Sequence, residues 1–370
     1  MATNNLLPFF PVLTPSVISS RRYLGQKWFE GLFFSQSREI IGASLNALGL
    51  MPGDVVLAPP SLCWEALSPM LALGLKVRCY AVDHQLTIDI SSLRKLIDKR
   101  TKAIYIVHYF GFPQPIKDIK QICADEGLSL IEDCALCYFD GKENGGVGHN
   151  GDISFFSLWK FLPIPDGAVA LYRGKGEIIK PIDLPSPLWT GKRILRRLAN
   201  SLAKEGILRT SGYLRPMLSE VANFVAPNDG VIPKPKKISS ISIFIMERCD
   251  LSLIARARRR NFFSLLEGIK GIADIEPVWT WLPNEAVPFA LPIRVADPVK
   301  VQKYLAQDGI ETEISINRFF RNHPSIEGDP KNFIVVDKLA DHVLLIPVHQ
   351  DLTVEDIERV LIALHGLCKK

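Results

Sequence analysis

Short continuous apolar runs alternate with amphipathic segments along most of this chain. Residues 55–58, 76–82, 103–109 and 128–131 read as buried strands. Between them, Ile40, Ile41, Leu45 and Leu48 recur at helical spacing until Gly49 and the Pro52-Gly53-Asp54 turn stop the pattern. Residues 90–97 and 116–124 are helix-like in the same way. Such alternation predicts an α/β fold: a mostly parallel sheet with helices on its faces. Residues 288–295, 299–309, 343–347 and 354–364 alternate again and predict a smaller α+β unit. The expected division is a large domain over 1–240 and a small C-terminal domain over 241–370. The large domain would carry an irregular, proline-rich arm (1–30) and a basic insert (174–240).

The richest stretch is 128–173. An apolar run ends in Glu132-Asp133, a Gly-rich loop follows, and a second run over 153–158 delivers Ser157 and Lys160. Pro163 and Pro165 then lead through Asp166-Gly167 into a third run, 168–172. An acid, a hydroxyl and a lysine thus arrive at strand ends, where α/β sheets bind ligands. Lysine among Leu158, Trp159, Phe161 and Leu162 loses solvation of its charged form, so its pKa should fall towards the neutral amine. A neutral amine attacks aldehydes, and pyridoxal 5'-phosphate also needs a carboxylate facing its ring nitrogen. Asp133 is the candidate carboxylate, and Ser157 a donor to the phosphate. The start of the helix after Gln36 offers a second phosphate seat, with Ser37 as donor and Arg38 as a charge-assisted one.

At these residues the chain resembles the DegT/DnrJ/EryC1/StrS sugar aminotransferases, which are fold-type I pyridoxal phosphate enzymes. The family's E-D-x-A is matched by Glu132-Asp133-Cys134-Ala135, and its G-D-I-x-x-F-S by Gly151 to Ser157. Its lysine followed by an E-G-G turn is matched by Lys160 with Asp166-Gly167-Ala168. The resemblance implies that Lys160 links the cofactor and relays protons, that Asp133 pairs with the ring nitrogen, and that Ala135 packs on one ring face. It implies Trp64 as the aromatic stacked on the ring, a homodimer whose arms wrap the partner, a nucleotide-linked keto-sugar substrate and glutamate as donor. His108 ends a strand towards the same crevice and is a candidate substrate contact, while Arg193, Arg196 and Arg197 of the insert would meet a substrate pyrophosphate. The chain departs from the pattern in three places. Ser157 and Lys160 are three residues apart rather than five, Leu136 replaces a hydrogen-bonding residue, and serines (Ser239 to Ser242) replace the interface asparagine. Two alternatives stay open: another pyridoxal phosphate reaction on this scaffold, or a non-catalytic binding member.

Rival motifs are weaker. Ser157-Leu158-Trp159-Lys160 fits S-x-x-K, but the prolines that follow forbid the helix that motif opens. Gly146 to Gly151 fits G-x-G-x-x-G, yet a strand rather than a helix follows it. Cys134 and Cys137 form a lone C-x-x-C without a second pair, so no metal site is expected. Seven scattered cysteines suit a reducing compartment, and the N-terminus lacks a basic signal region, so a cytoplasmic protein is expected. The net charge of +5 is modest for 370 residues and gives no reason to expect nucleic acid. Residues 192–204 place Ile194, Leu195, Leu198 and Leu202 on one helix face and Lys/Arg on the other. The expectation is a helix docked by its leucines, with the cations solvated and no membrane association. The arginines at 256 and 258–260 are likewise expected on a solvated surface.

Overall fold

The computed structural model describes residues 5–20, 31–141, 146–207, 232–314, 316 and 322–367. After a short helix α1 (Pro15–Ser19) the chain runs β1 (Leu32–Phe34), α2 (Ser37–Ala47), β2 (Val55–Ala58), α3 (Trp64–Ala72), β3 (Lys76–Cys79) and α4 (Ile90–Lys95). It continues through β4 (Thr101–Val107), α5 (Ile116–Glu126), β5 (Ser129–Cys134), β6 (Ile153–Ser157) and β7 (Ala168–Tyr172). Then come α6 (Pro187–Lys204), α7 (Ser240–Met246), α8 (Leu251–Gly268), β8 (Glu276–Pro277), β9 (Ala290–Arg294) and α9 (Pro298–Gln307). The last elements are β10 (Ile326–Glu327), α10 (Lys331–His342), β11 (Val343–Pro347) and α11 (Val354–Leu367).

An eight-stranded sheet has the order β1-β7-β6-β5-β4-β2-β3-β10. Neighbours from β10 to β6 are parallel, and β7 is antiparallel to both β6 and β1. Every residue of β2 and β6 is buried, as expected of strands covered on both faces. The reversal into β7 needs the Asp166-Gly167 turn. Gly167 sits at φ +136°, and a Cβ there would lie 2.8 Å from Ile238 Cδ1, so only glycine fits. β8, β9 and β11 form a separate antiparallel sheet, and one apolar core runs through both sheets, from Val56 to Leu345.

The arm, where described, packs on its own chain: Leu7 bridges to Ile310, Phe9 N–H donates to Glu311 at 3.1 Å, and Val12 N–H donates to Asp351 at 3.0 Å. Asp250 caps the start of α8 by accepting Leu253 N–H at 3.0 Å. One helix differs from the sequence expectation. Helix α6 is turned the other way round. It buries Thr190, Arg197, Ser201 and Ala203, and leaves Leu188, Leu195 and Leu202 exposed at 70%, 65% and 39%. The reason is that its arginines find backbone carbonyls: Arg193 donates to Pro165, and Arg197 to Pro11 and Trp159 at 2.6 and 2.7 Å.

Candidate active site

Adjacent parallel strands carry the two chemically distinctive groups. Asp133 ends β5, buried, with Oδ2 accepting from Tyr105 Oη at 2.6 Å and Oδ1 from Ala135 N–H at 2.8 Å. Burial raises its pKa, against the pull of those two donors and of Lys160 and His108. Lys160 closes a single 3-10 turn (Leu158–Lys160) that follows β6, with Nζ 5.8 Å from the centroid of the Phe289 ring. Lys160 lies within electrostatic reach of Asp133, Cys63 and Glu313. Ser157 is buried at the last position of β6, paired with Ala168 across the sheet.

The lysine's backbone is fixed by a side chain that sequence reasoning placed on the surface. Arg258 is 1% exposed and donates to four acceptors: Lys160 O, Pro288 O, Phe289 O and Gln350 Oε1, at 3.1 to 3.3 Å. Its guanidinium also lies 4.5 Å from the Phe161 ring centroid. A cation can be buried there because carbonyls from several distant segments converge on it, which a local pattern of apolar positions does not report.

The phosphate seat predicted at the start of α2 has two parts that fit an anion. Ser37 Oγ is buried without a hydrogen-bond partner. The Arg38 guanidinium is held below its ordinary pKa by burial, with Glu39 and Glu65 opposing. A third cation, Arg193, is close enough to feel Arg38. Against them stands Glu39, buried in the same first turn, which accepts Ser35 Oγ at 2.7 Å and the Gln36 and Lys236 N–H groups at 3.3 and 3.2 Å. Burial raises its pKa. The chain's own residues therefore fit pyridoxal phosphate: a lysine and an acid within electrostatic reach of each other at one sheet edge, and an unsatisfied hydroxyl with a desolvated guanidinium at a helix N-terminus.

Trp64 opens α3, half-buried against the core, and its predecessor Cys63 lies within electrostatic reach of Asp133 and Lys160. Burial, with the Glu65 and Asp133 carboxylates, pushes the Cys63 thiol up to about 12 against the pull of Lys160. Other predicted residues take different roles. His108 is committed to the protein. Its Nδ1 accepts Gln114 N–H at 3.0 Å, so Nε2 carries the proton and donates to Glu132 Oε2 at 3.0 Å. Glu132 in turn gathers the Gly-rich loop, accepting Gly148 N–H, Asn150 N–H, Gly151 N–H and Ser154 Oγ. Glycine at 151 permits this approach, because a Cβ would sit 2.8 Å from Ile153 O. His108, Glu132 and Cys134 lie close enough to suggest a metal, but the first two have no lone pair left to offer one. A cavity of about 1120 Å³ lies on the Glu132 side of β5, lined also by His149, Arg256 and Glu285; neither Asp133 nor Lys160 reaches it.

Of the insert's arginines, Arg197 is buried between Pro11 O and Trp159 O. Arg193 is stacked between Trp159 and Trp189, its centre 5.1 and 4.9 Å from their rings. Arg196 is exposed, and its charge is felt by Glu313, the carboxylate that also feels Lys160. Ser239 and Ser242 are occupied within the chain: both hydroxyls donate to Asp166, the Ser239 bond at 2.7 Å. Cys134 and Cys137 are both buried, and neither is in a disulfide.

The order β3-β2-β4-β5-β6-β7-β1, with β7 reversed, brings an acid and a lysine to the carboxyl edge of the sheet. Residues 33–169 match the DegT/DnrJ/EryC1/StrS aminotransferase family. GDP-perosamine synthase of Vibrio cholerae is 29% identical over 137 residues, covering 37% of each chain. UDP-N-acetyl-3-dehydro-alpha-D-glucosamine 3-aminotransferase of Acidithiobacillus ferrooxidans is 31% identical over 130 residues, covering 35% of each. These matches thus span little more than a third of the relatives' length. The fold extends further: the Helicobacter pylori aminotransferase PseC superposes over 99% of both chains at 15% identity, with a TM-score of 0.68.

Proposed function

We propose that this chain is a pyridoxal phosphate-dependent aminotransferase acting on a nucleotide-linked keto-sugar, with glutamate as donor, in amino-sugar or surface polysaccharide biosynthesis. The observation that carries the reading is Lys160 within electrostatic reach of Asp133, both at the carboxyl edge, with unsatisfied Ser37 Oγ at the α2 N-terminus. Relatives named for action on GDP- and UDP-linked sugars support the substrate class. Bound there, pyridoxal phosphate supplies an aldehyde that condenses with amines and a ring that takes up the electron pair of a broken C–H bond. Ser37, Arg38 and Ser157 would hold the phosphate, Asp133 the ring nitrogen, and Cys63 and Ala135 would flank the ring. Tyr105 orients the Asp133 carboxylate, and burial strengthens any charge it meets. Lys160 Nζ takes a proton from the substrate carbon bearing nitrogen and returns one on the reverse half-reaction. The reading includes a cytoplasmic homodimer.

The test is borohydride reduction of the protein after incubation with pyridoxal phosphate, followed by peptide mapping. The cofactor's mass is expected on Lys160; its appearance on another lysine, or on none, overturns the reading. A non-catalytic binding member is favoured by one observation, the Glu39 carboxylate among the α2 donors. That reading expects no covalent fixation at all.

A further inference from the structure

The first turn of α2 is read above as a phosphate seat, yet it already holds a carboxylate. Glu39 is 3% exposed. Its Oε2 accepts the N–H groups of Gln36, which caps the helix, and of Lys236, while its Oε1 accepts the Ser35 hydroxyl. Ser37, whose hydroxyl is the unsatisfied donor, directly follows Gln36. The carboxylate therefore stands where a helix N-terminus attracts anions, in the same turn as the donor a phosphate would use. Backbone bonds join this turn to the one that carries Lys160: Gly167 N–H donates to Ser35 O at 2.9 Å, and Leu158 N–H to Gly167 O at 3.0 Å.

The charges around the seat cancel before any ligand arrives. Arg38 is countered by Glu39 and by Glu65 of α3, and it lies within reach of a second cation, Arg193 of α6. Beyond these, Asp166 and Arg196, one of each sign, act on Arg193. Strands β1 and β6, packed on α2, carry no charged residue, and β7 adds only Tyr172, which donates to Ala47 O at the far end of the helix. In the segment 232–237, Lys234 and Lys237 are exposed and Lys236 is half-buried. A phosphate monoester brings a charge of about −1.5 to −2 at neutral pH. It would repel a carboxylate whose burial already favours the neutral acid, and two like charges in one site do not both stay ionised.

We propose that Glu39 sets the protonation state in which the α2 seat accepts phosphate: one proton is taken up from solvent as a phosphate monoester binds, and Glu39 holds it. The carboxylic acid then donates to a phosphate oxygen, so Glu39 joins Ser37 and Arg38 as a donor instead of opposing them. This deepens the aminotransferase reading and rests on its assignment of α2 to the cofactor phosphate. Affinity must fall as pH rises, by up to about tenfold per unit for one proton. An ordinary cationic seat does the opposite, because phosphate loses its second proton near about pH 6 and becomes the better ligand.

The experiment is calorimetric titration of the full-length protein with pyridoxamine 5'-phosphate, which has no aldehyde to condense with Lys160. Runs in Tris and in HEPES, whose ionisation enthalpies differ, count the protons taken up. At about pH 8.5 the wild type should take up roughly one proton more than Glu39→Gln. That variant keeps the helix cap, since glutamine serves at the same position. It should bind about tenfold or more tightly than wild type there, with the gap narrowing towards about pH 6.5. Glu65→Gln should keep the wild-type proton count, and pyridoxamine without the phosphate should show no difference between wild type and Glu39→Gln. Equal proton counts in wild type and Glu39→Gln, or loss of the extra proton in Glu65→Gln instead, overturn the proposal and leave the aminotransferase reading standing. Absence of binding by the wild type at every pH overturns both. If Glu39→Gln fails to fold by circular dichroism, wild-type affinity for inorganic phosphate decides: a fall with rising pH supports the proposal, and a flat or rising affinity overturns it.

Discussion

The Arg258 guanidinium, on α8, donates to the backbone carbonyl of Lys160 at 3.3 Å, and to the carbonyl of Phe289, whose ring lies 5.8 Å from the lysine Nζ. One buried cation thus fixes both the lysine's turn and the ring against which its amine rests. Arg258→Ala would leave four buried acceptors without their donor, a loss of about 3 kcal/mol or more by the cost of unmet buried hydrogen bonds. Arg258→Lys keeps the charge but not the fork, so it should fold with a loss of about 1–3 kcal/mol. In that variant, capture of pyridoxal phosphate by Lys160 should slow by up to about a hundredfold, because the amine is displaced from its productive position. Denaturant unfolding and the rate of covalent fixation measure the two effects separately. Wild-type values for both would remove Arg258 from the site.

A second prediction concerns stability against pH. Burial alone would raise the Glu132 pKa, but the hydrogen bond and charge of His108 with the Gly151 and Asn150 N–H groups outweigh it and hold the carboxylate below its ordinary range. The unfolded chain therefore binds more protons than the folded one between the lowered value and the unfolded pKa of about 4.3. Glu132's contribution is fully present above that unfolded value and is lost as pH falls through the folded one. Glu132→Gln should cost about 3 kcal/mol at neutral pH, and the difference from wild type should narrow below roughly pH 4. A gap that stays constant with pH would mean the carboxylate's charge is not what holds the loop.

Much of the frame is legible in the chain, for reasons that particular residues show. β2 and β7 fall at Val55–Ala58 and Ala168–Tyr172, as their uninterrupted apolar runs predict, because strands buried on both faces need no alternation. Asp133 and Lys160 are legible because a polar residue at the end of an apolar run has nowhere to go but the sheet's edge. The orientation of α6 and the burial of Arg258 are not legible. Both depend on carbonyls of Pro11, Trp159, Pro288 and Phe289, residues far apart in sequence that only tertiary structure brings to the arginines. His108 looked like a crevice residue because it ends β4, but its two nitrogens are already matched by Gln114 and Glu132.

Asp133→Asn tests the acid directly. The amide keeps the shape: its oxygen can accept from Ala135 N–H, and its NH2 can donate to Tyr105 Oη once that hydroxyl turns to accept, so the fold and cofactor binding should persist. Without a carboxylate the ring nitrogen loses the charge that keeps it protonated. Loss of such a preorganised charge costs on the order of a hundredfold or more in turnover. Stopped half-reactions with glutamate read this loss apart from binding. Turnover close to wild type would separate Asp133 from the chemistry.

The arginines of α6 make the sharpest division between a binding role and a holding role. Arg196 is exposed beside Glu313, within the electrostatic reach of the Lys160 site, whereas Arg197 is buried with both terminal nitrogens on backbone carbonyls. If a nucleotide-linked substrate enters on this side, Arg196 is placed to meet its pyrophosphate, and loss of one charge-assisted bond is about 1.5–3 kcal/mol. Arg196→Ala should therefore raise KM roughly tenfold or more at unchanged kcat. Arg197→Ala should do the reverse. It frees Pro11 O and Trp159 O and loosens the residue before Lys160, so it should lower thermal stability and kcat while leaving KM near wild type. Steady-state kinetics with a GDP- or UDP-linked keto-sugar distinguishes the two. An unchanged KM in Arg196→Ala would return that side chain to a solvated role on the exposed face of the helix.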